Sequence, residues 1–123
     1  MKFKLLTAAV LTVAPLTAGH AMNIDTFLQK AAALEKKGMT ALFSPDLKLL
    51  KREIEGAASQ LRAERNTAVK AGAKTAYCPP SAKGSLDSKE VLTHFRAIPP
   101  AQQARMPVKD GLRSLLARKY PCR

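Results

Sequence analysis

The chain has 123 residues, with 21 Lys or Arg against 9 Asp or Glu and a formal net charge of +12. That length is enough for one domain and too short for several. The charge favours anionic partners such as acidic protein surfaces, anionic lipid headgroups or nucleic acid, without choosing among them.

The first residues read as a secretory leader. Lys2 and Lys4 form a short positive start, and Leu5 to Thr17 is an apolar run without charge. Gly19 and Ala21 then place small residues three before and one before a cut between Ala21 and Met22. The run is shorter than the roughly 20 apolar residues a membrane-spanning helix needs, and Pro15 interrupts it. No cysteine follows the small residues, which argues against a lipid anchor. Residues 1–21 are therefore expected to be a cleaved signal peptide, and residues 22–123 a periplasmic domain. Without Lys2 and Lys4 that domain keeps 19 basic and 9 acidic residues, a net charge of +10.

The spacing of apolar residues predicts an all-α bundle of about four main helices and no strands. The first spans about Asp25 to Lys37, with Ile24, Phe27, Leu28, Ala31 and Leu34 on one face. Asn23 or Asp25 is its cap and Gly38 its stop. The second is the longest. Ser44 is its N-cap, Pro45 its first residue and Gly72 its stop. Leu47, Leu50, Ile54, Ala57, Ala58, Leu61, Ala68 and Val69 fall on one face. Lys48, Arg52, Ser59, Arg62, Asn66 and Lys70 make a basic flank interrupted by Glu55, with Glu53 and Glu64 opposite. Arg65 falls inside the apolar stripe. Burying an unpaired Arg is costly, so this half of the helix either projects past the core or lets Arg65 reach water or a partner.

Ala73 to Gly84 reads as an irregular loop around Cys78-Pro79-Pro80. In the third helix Asp87 is the N-cap, Glu90 completes a capping box, and Leu86 and Val91 are placed as a hydrophobic staple. Val91, Leu92 and Phe95 form its apolar face, and Ile98-Pro99-Pro100 ends it. A short turn over Ala101 to Arg105 follows. The last helix starts with Pro107 at its first position and carries Val108, Leu112, Leu115 and Leu116 as its stripe. Tyr120-Pro121 stops it just before Cys122. Cys78 and Cys122 are the only cysteines. In an exported domain of this size they read as one disulfide.

No catalytic constellation is legible. His94 is the only histidine of the mature chain, no serine sits in a nucleophile elbow, and the carboxylates are scattered. No phosphate loop, metal-ligand cluster or calcium loop is present, so no enzyme activity, cofactor or metal is expected. Phe27, Phe43 and Phe95 occupy apolar-stripe or staple-like positions and are expected in the core. Tyr77 and Tyr120 are placed to pack beside the bridge. That leaves no interleaved aromatics for single-stranded nucleic acid, and nucleic acid is not an expected partner. No helix pairs a bulky aromatic face with the basic flank, which weakens a membrane-surface reading.

The pattern Tyr77-Cys78-Pro79, a capped helix from Asp87 to Pro99, and a last helix ending in Tyr120-Pro121-Cys122 resembles a known family. It is similar to the periplasmic immunity proteins that neutralise cell-wall amidase effectors delivered by type VI secretion. Arg52-Glu53-Ile54-Glu55-Gly56-Ala57 resembles the family helix with a Gly-centred motif, and the likeness covers about residues 47–123. The chain departs from the family in having no cysteine pair near its first helices. The resemblance implies a non-enzymatic inhibitor that occludes the effector's active-site groove, and it implies a homodimer. Under that reading exposure and charge nominate Lys70, Lys74, Tyr77, Lys83, Arg62 and Arg65 as partner contacts. The alternative is a cationic envelope protein that binds anionic lipid or cell-wall polymer.

Overall fold

A computed structural model describes residues 21–80 and 86–123. The expected leader, apart from Ala21, and Lys83 lie outside the described residues. The fold is all-α, with helices α1 (Ile24–Lys37), α2 (Pro45–Lys70), α3 (Ser88–Ala97), α4 (Pro100–Gln103) and α5 (Val108–Lys119). A 3-10 turn, Gly38–Phe43, joins α1 to α2. The only β-type pairing among the described residues is an isolated antiparallel bridge between Asn23 and Pro107.

Most helix ends follow local chemistry. Ser44 Oγ accepts from the Asp46 amide at 3.3 Å, satisfying one of the orphan donors at the start of α2. Gly38 and Gly72 take φ of 57° and 66°, the left-handed region where glycine has no Cβ to strain. Asp87 caps α3 by accepting from the Lys89 amide at 3.4 Å. Three ends differ from expectation. The Asn23 side chain does not cap α1 and instead donates to the Ala104 carbonyl at 2.9 Å. Glu90 turns its carboxylate to Lys119 at 2.9 Å, because an ion pair to α5 is stronger than the return half of a capping box. Pro107 stands just outside α5, with extended ψ of 149°, because the Met106 carbonyl and Val108 amide on either side of it pair with the chain start.

One core unites the helices. Ile24, Phe95, Val108 and Leu112 are fully buried, with Phe27, Leu61, Val91 and Leu115 close around them. Phe27 and Phe95 meet edge to face with ring centres 5.5 Å apart, a geometry that adds to their area burial. The most extensive helix contact is between α2 and α5. Glu64 of α2 bonds both Lys109 and Arg113 of α5, the latter at 2.9 Å, and Arg113 also bonds Asp110. Hydrogen bonds from Lys109 and then Arg113 hold the Glu64 carboxyl below its ordinary range.

The apolar face of α2 is buried only at Leu50, Ala57 and Leu61. Past Leu61 the helix leaves the core, and Val69, expected inside, is 55% exposed. Arg65 is half-buried there and donates from Nε to the Tyr77 carbonyl at 3.4 Å. Phe43 departs most from expectation: it is 89% exposed instead of buried.

Candidate functional site

The two ends of α2 carry different surfaces. Its 26 residues separate them by about 39 Å.

The C-terminal end holds the loop nominated by the sequence. Cys78 and Cys122 are bonded, with Cα atoms 5.0 Å apart, and the Cys78 amide donates to the Tyr120 carbonyl at 2.8 Å. The loop is thereby tied to the chain's end. Arg62, Lys70 and Lys74 are exposed, as a partner contact requires. Tyr77 is only 6% exposed and belongs to the core, which corrects its nomination as a surface contact. The reason is tertiary: the Cys78–Cys122 bridge and the Arg65 bond hold the backbone around Tyr77, and its ring gains more by burial than by exposure. Arg65 is engaged in holding that loop, so it is only partly available to a partner.

The N-terminal end presents an apolar tip. Met39, Leu42 and Phe43 are 82%, 63% and 89% exposed, and Leu49, on the second turn of α2, is 38% exposed. The turn beneath them is well held. Thr40 Oγ1 donates to the Lys37 carbonyl at 2.7 Å, and the Ser44 amide to the Ala41 carbonyl at 3.0 Å. Ser44 is buried, and Lys37 Nζ reaches its hydroxyl at 3.5 Å. Polar groups thus close the turn while three large apolar side chains point outward. Lys36, Lys48, Lys51 and Arg52 are exposed around this end and have no ion-pair partner among the described residues. The sequence held a signal for this tip. Phe43 precedes the Ser44 cap, so a staple would need an apolar residue at the fourth helical position, where Lys48 stands. Leu86 does have such a partner in Val91, and there the staple position is half-buried against the core.

Hollows among the described residues include two of note. One, of about 420 Å³, is apolar and runs between α1, α2 and the start of α3, lined by Phe27, Leu34, Leu47, Leu50, Ile54 and Leu92. Leu34 and Leu47, which flank the tip in sequence, form part of its wall, and Glu35, Lys51 and Glu55 stand at its rim. The other, of about 590 Å³, lies between α3 and α5. It contains His94, whose Nε2 lies 2.7 Å from Ser114 Oγ. The Ser114 hydroxyl also lies 2.8 Å from the Gly111 carbonyl, so its one hydrogen faces two acceptors unless the imidazole is the donor in the first contact. No carboxylate bonds His94 among the described residues. Partial burial, and then the charge of Arg118, hold the imidazole below its ordinary pKa. Among the described residues the pair lacks the orienting acid that a nucleophile-activating triad has.

No group of His, Cys, Asp or Glu among the described residues is placed to hold a metal ion, and no described helix is long and apolar enough to cross a membrane. Comparison with known proteins finds no matching family model, no similar curated protein and no similar solved structure.

Proposed function

We propose that this chain is an exported, non-enzymatic binding protein of the immunity type, which occludes the substrate groove of a cell-wall amidase effector in the periplasm. The observation that carries this reading is the tip of Met39, Leu42 and Phe43. Occlusion requires a stiff projection that keeps its apolar side chains out of its own core. A six-residue turn closed by its own hydrogen bonds, between two helices anchored in the core, meets that requirement. A plug of this kind supplies the apolar anchor of an interface. The Lys36, Lys37, Lys48 and Arg52 surround and the overall positive charge suit a groove with an acidic rim and speed encounter with it. Arg62, Lys70 and Lys74 at the far end of α2, with Lys83, add to that steering.

The test is a search beside this chain's gene for a cysteine-histidine amidase and inhibition of that enzyme by the chain, measured as cell-wall hydrolysis and as calorimetric binding; a neighbourhood without such a gene would count against the reading. One-to-one inhibition that survives moderate salt is expected. Leu42→Ala with Phe43→Ala is expected to weaken it at least about 30-fold, since both side chains are anchors. The same variant should leave thermal stability unchanged, because neither side chain is buried. Full inhibition by the double variant would exclude the tip, and no inhibition by the wild-type chain would exclude the immunity reading.

The tip also favours the alternative of an anionic envelope surface, since aromatic and aliphatic side chains beside lysines suit a lipid interface. Sedimentation with phosphatidylglycerol vesicles that is lost at moderate salt, without amidase binding, would favour it.

A further inference from the structure

The start of the domain is bound from both sides. The Met22 carbonyl accepts from the Val108 amide at 2.9 Å, and the Ile24 amide donates to the Met106 carbonyl at 2.9 Å. Asn23 pairs with Pro107, its side chain bonds the Ala104 carbonyl, and Ile24 is fully buried. Ala21, one residue earlier, is exposed. The boundary between anchored and exposed chain therefore falls at the Ala21–Met22 bond, where the small residues Gly19 and Ala21 place signal-peptide cleavage.

The Met22 nitrogen at this boundary points at a carboxylate. It lies 3.0 Å from Glu53 Oε1, in a partly buried contact between the chain start and α2. Glu53 has no other hydrogen bond or ion pair among the described residues. In the uncleaved chain this nitrogen is a neutral amide. Hydrolysis of the Ala21–Met22 bond adds water across it. The hydroxyl goes to the Ala21 carbonyl carbon, which leaves as a carboxylate, and the Met22 nitrogen takes protons to become an α-ammonium at neutral pH. We infer that Glu53 is a built-in receptor for the new N-terminus, so that cleavage after Ala21 converts a single amide hydrogen bond into an ion pair joining the chain start to α2.

The geometry asks for no rearrangement. The two neighbouring backbone bonds already hold Met22 in place, so the ammonium forms within reach of its partner and little side-chain freedom is lost. Keeping Ala21 would move the positive charge one residue outward, about 3.5 Å along an extended chain and into water. The α-ammonium–Glu53 pair forms whether or not the chain binds an amidase.

The experiment compares four proteins. Intact-mass analysis of the exported protein first fixes its N-terminus, which is expected at Met22; a start at any other residue overturns the inference. Chains starting at Met22 and at Ala21 are then released from an N-terminal fusion by a protease that leaves no residue, and the disulfide is oxidised. Each is made with Glu53 and with Glu53→Gln, and all four are melted at neutral pH. Glu53→Gln should lower Tm by about 4 °C in the Met22 form and by less than half as much in the Ala21 form. Equal losses in the two forms, or no loss in the Met22 form, would show that Glu53 does not read the new terminus. A Glu53→Asp variant of the Met22 form, which keeps the charge on a shorter arm, should recover part of the loss; no recovery would also count against the pair.

Discussion

Two helical glycines give opposite expectations for the same substitution. Gly111 lies buried in α5. A Cβ built there meets Ile24 Cδ1 at 2.5 Å and Phe95 Cε1 at 2.9 Å, both closer than side chains tolerate. Ile24 Cδ1 is the end of a flexible side chain, but Ile24 and Phe95 are both fully buried and have no free space to move into. Overpacking of this kind costs about 1–3 kcal/mol, and two contacts below 3.0 Å place Gly111→Ala near the top of that range. Alanine recovers about 1 kcal/mol of helix propensity. The net expectation is a loss of about 2 kcal/mol, or roughly 10 °C in Tm for a domain of this size. Gly56 in α2 is exposed, and nothing lies within 4 Å of its added Cβ. Gly56→Ala should therefore keep the whole propensity gain and raise Tm by about 5 °C. Thermal melts followed by circular dichroism at 222 nm check both. A neutral or stabilised Gly111→Ala protein would refute the close packing of α1, α3 and α5 around that residue.

Replacing Cys78 and Cys122 by serine removes a crosslink spanning 44 residues, worth about 4 kcal/mol in the chain-entropy account, which urea unfolding should register. A loss below about 1 kcal/mol would mean that the loop is held by its other contacts alone. Phe95→Ala should cost about 3–5 kcal/mol, since Phe95 is fully buried and touches Phe27. Acid should weaken the fold in two steps. The folded pKa of His94 is lowered, so its contribution is complete above its ordinary value of 6.5 and is lost as pH falls through the lowered value. The same sign holds for Glu64, whose contribution is complete above 4.5 and is lost below it. Partial exposure keeps the Glu64 step within about 1 kcal/mol. A melting temperature that rises between pH 7 and pH 5 would contradict the His94 assignment, and Glu64→Gln should erase the second step.

Local rules read the helices well and the surface poorly. Ser44, Asp87, Gly38 and Gly72 act where the sequence places them, because capping and positive φ are settled within one turn of backbone. The stripes of α1, α3 and α5 face the core as their periodicity requires, with Leu28 and Leu92 half-buried at their edges. Phe43 defeats that reading. An apolar residue just before a cap often packs on the fourth helical residue, but here that residue is Lys48, and Phe43 is 89% exposed. Arg65 broke the α2 stripe visibly, and the stripe does lose its burial beyond Leu61. The carbonyl that Arg65 meets comes from a loop whose path no local pattern specifies.

Composition and spacing alone established an all-α domain, most of its helix ends and the only pairing open to two cysteines. These depend on backbone hydrogen bonding within a turn, on the side-chain period of a helix, and on counting. Tertiary structure decided which surfaces face solvent and which charges meet. Glu64 finds Arg113 across 49 positions, Met22 finds Glu53 across 31, and Gly111 is glycine because Ile24 and Phe95 arrive from two other helices. Such contacts form only after the apolar stripes have chosen how the helices pack. The tip at Phe43 stays outside for the same reason: its six-residue turn is spent closing the connection between α1 and α2, the two described elements it packs against most.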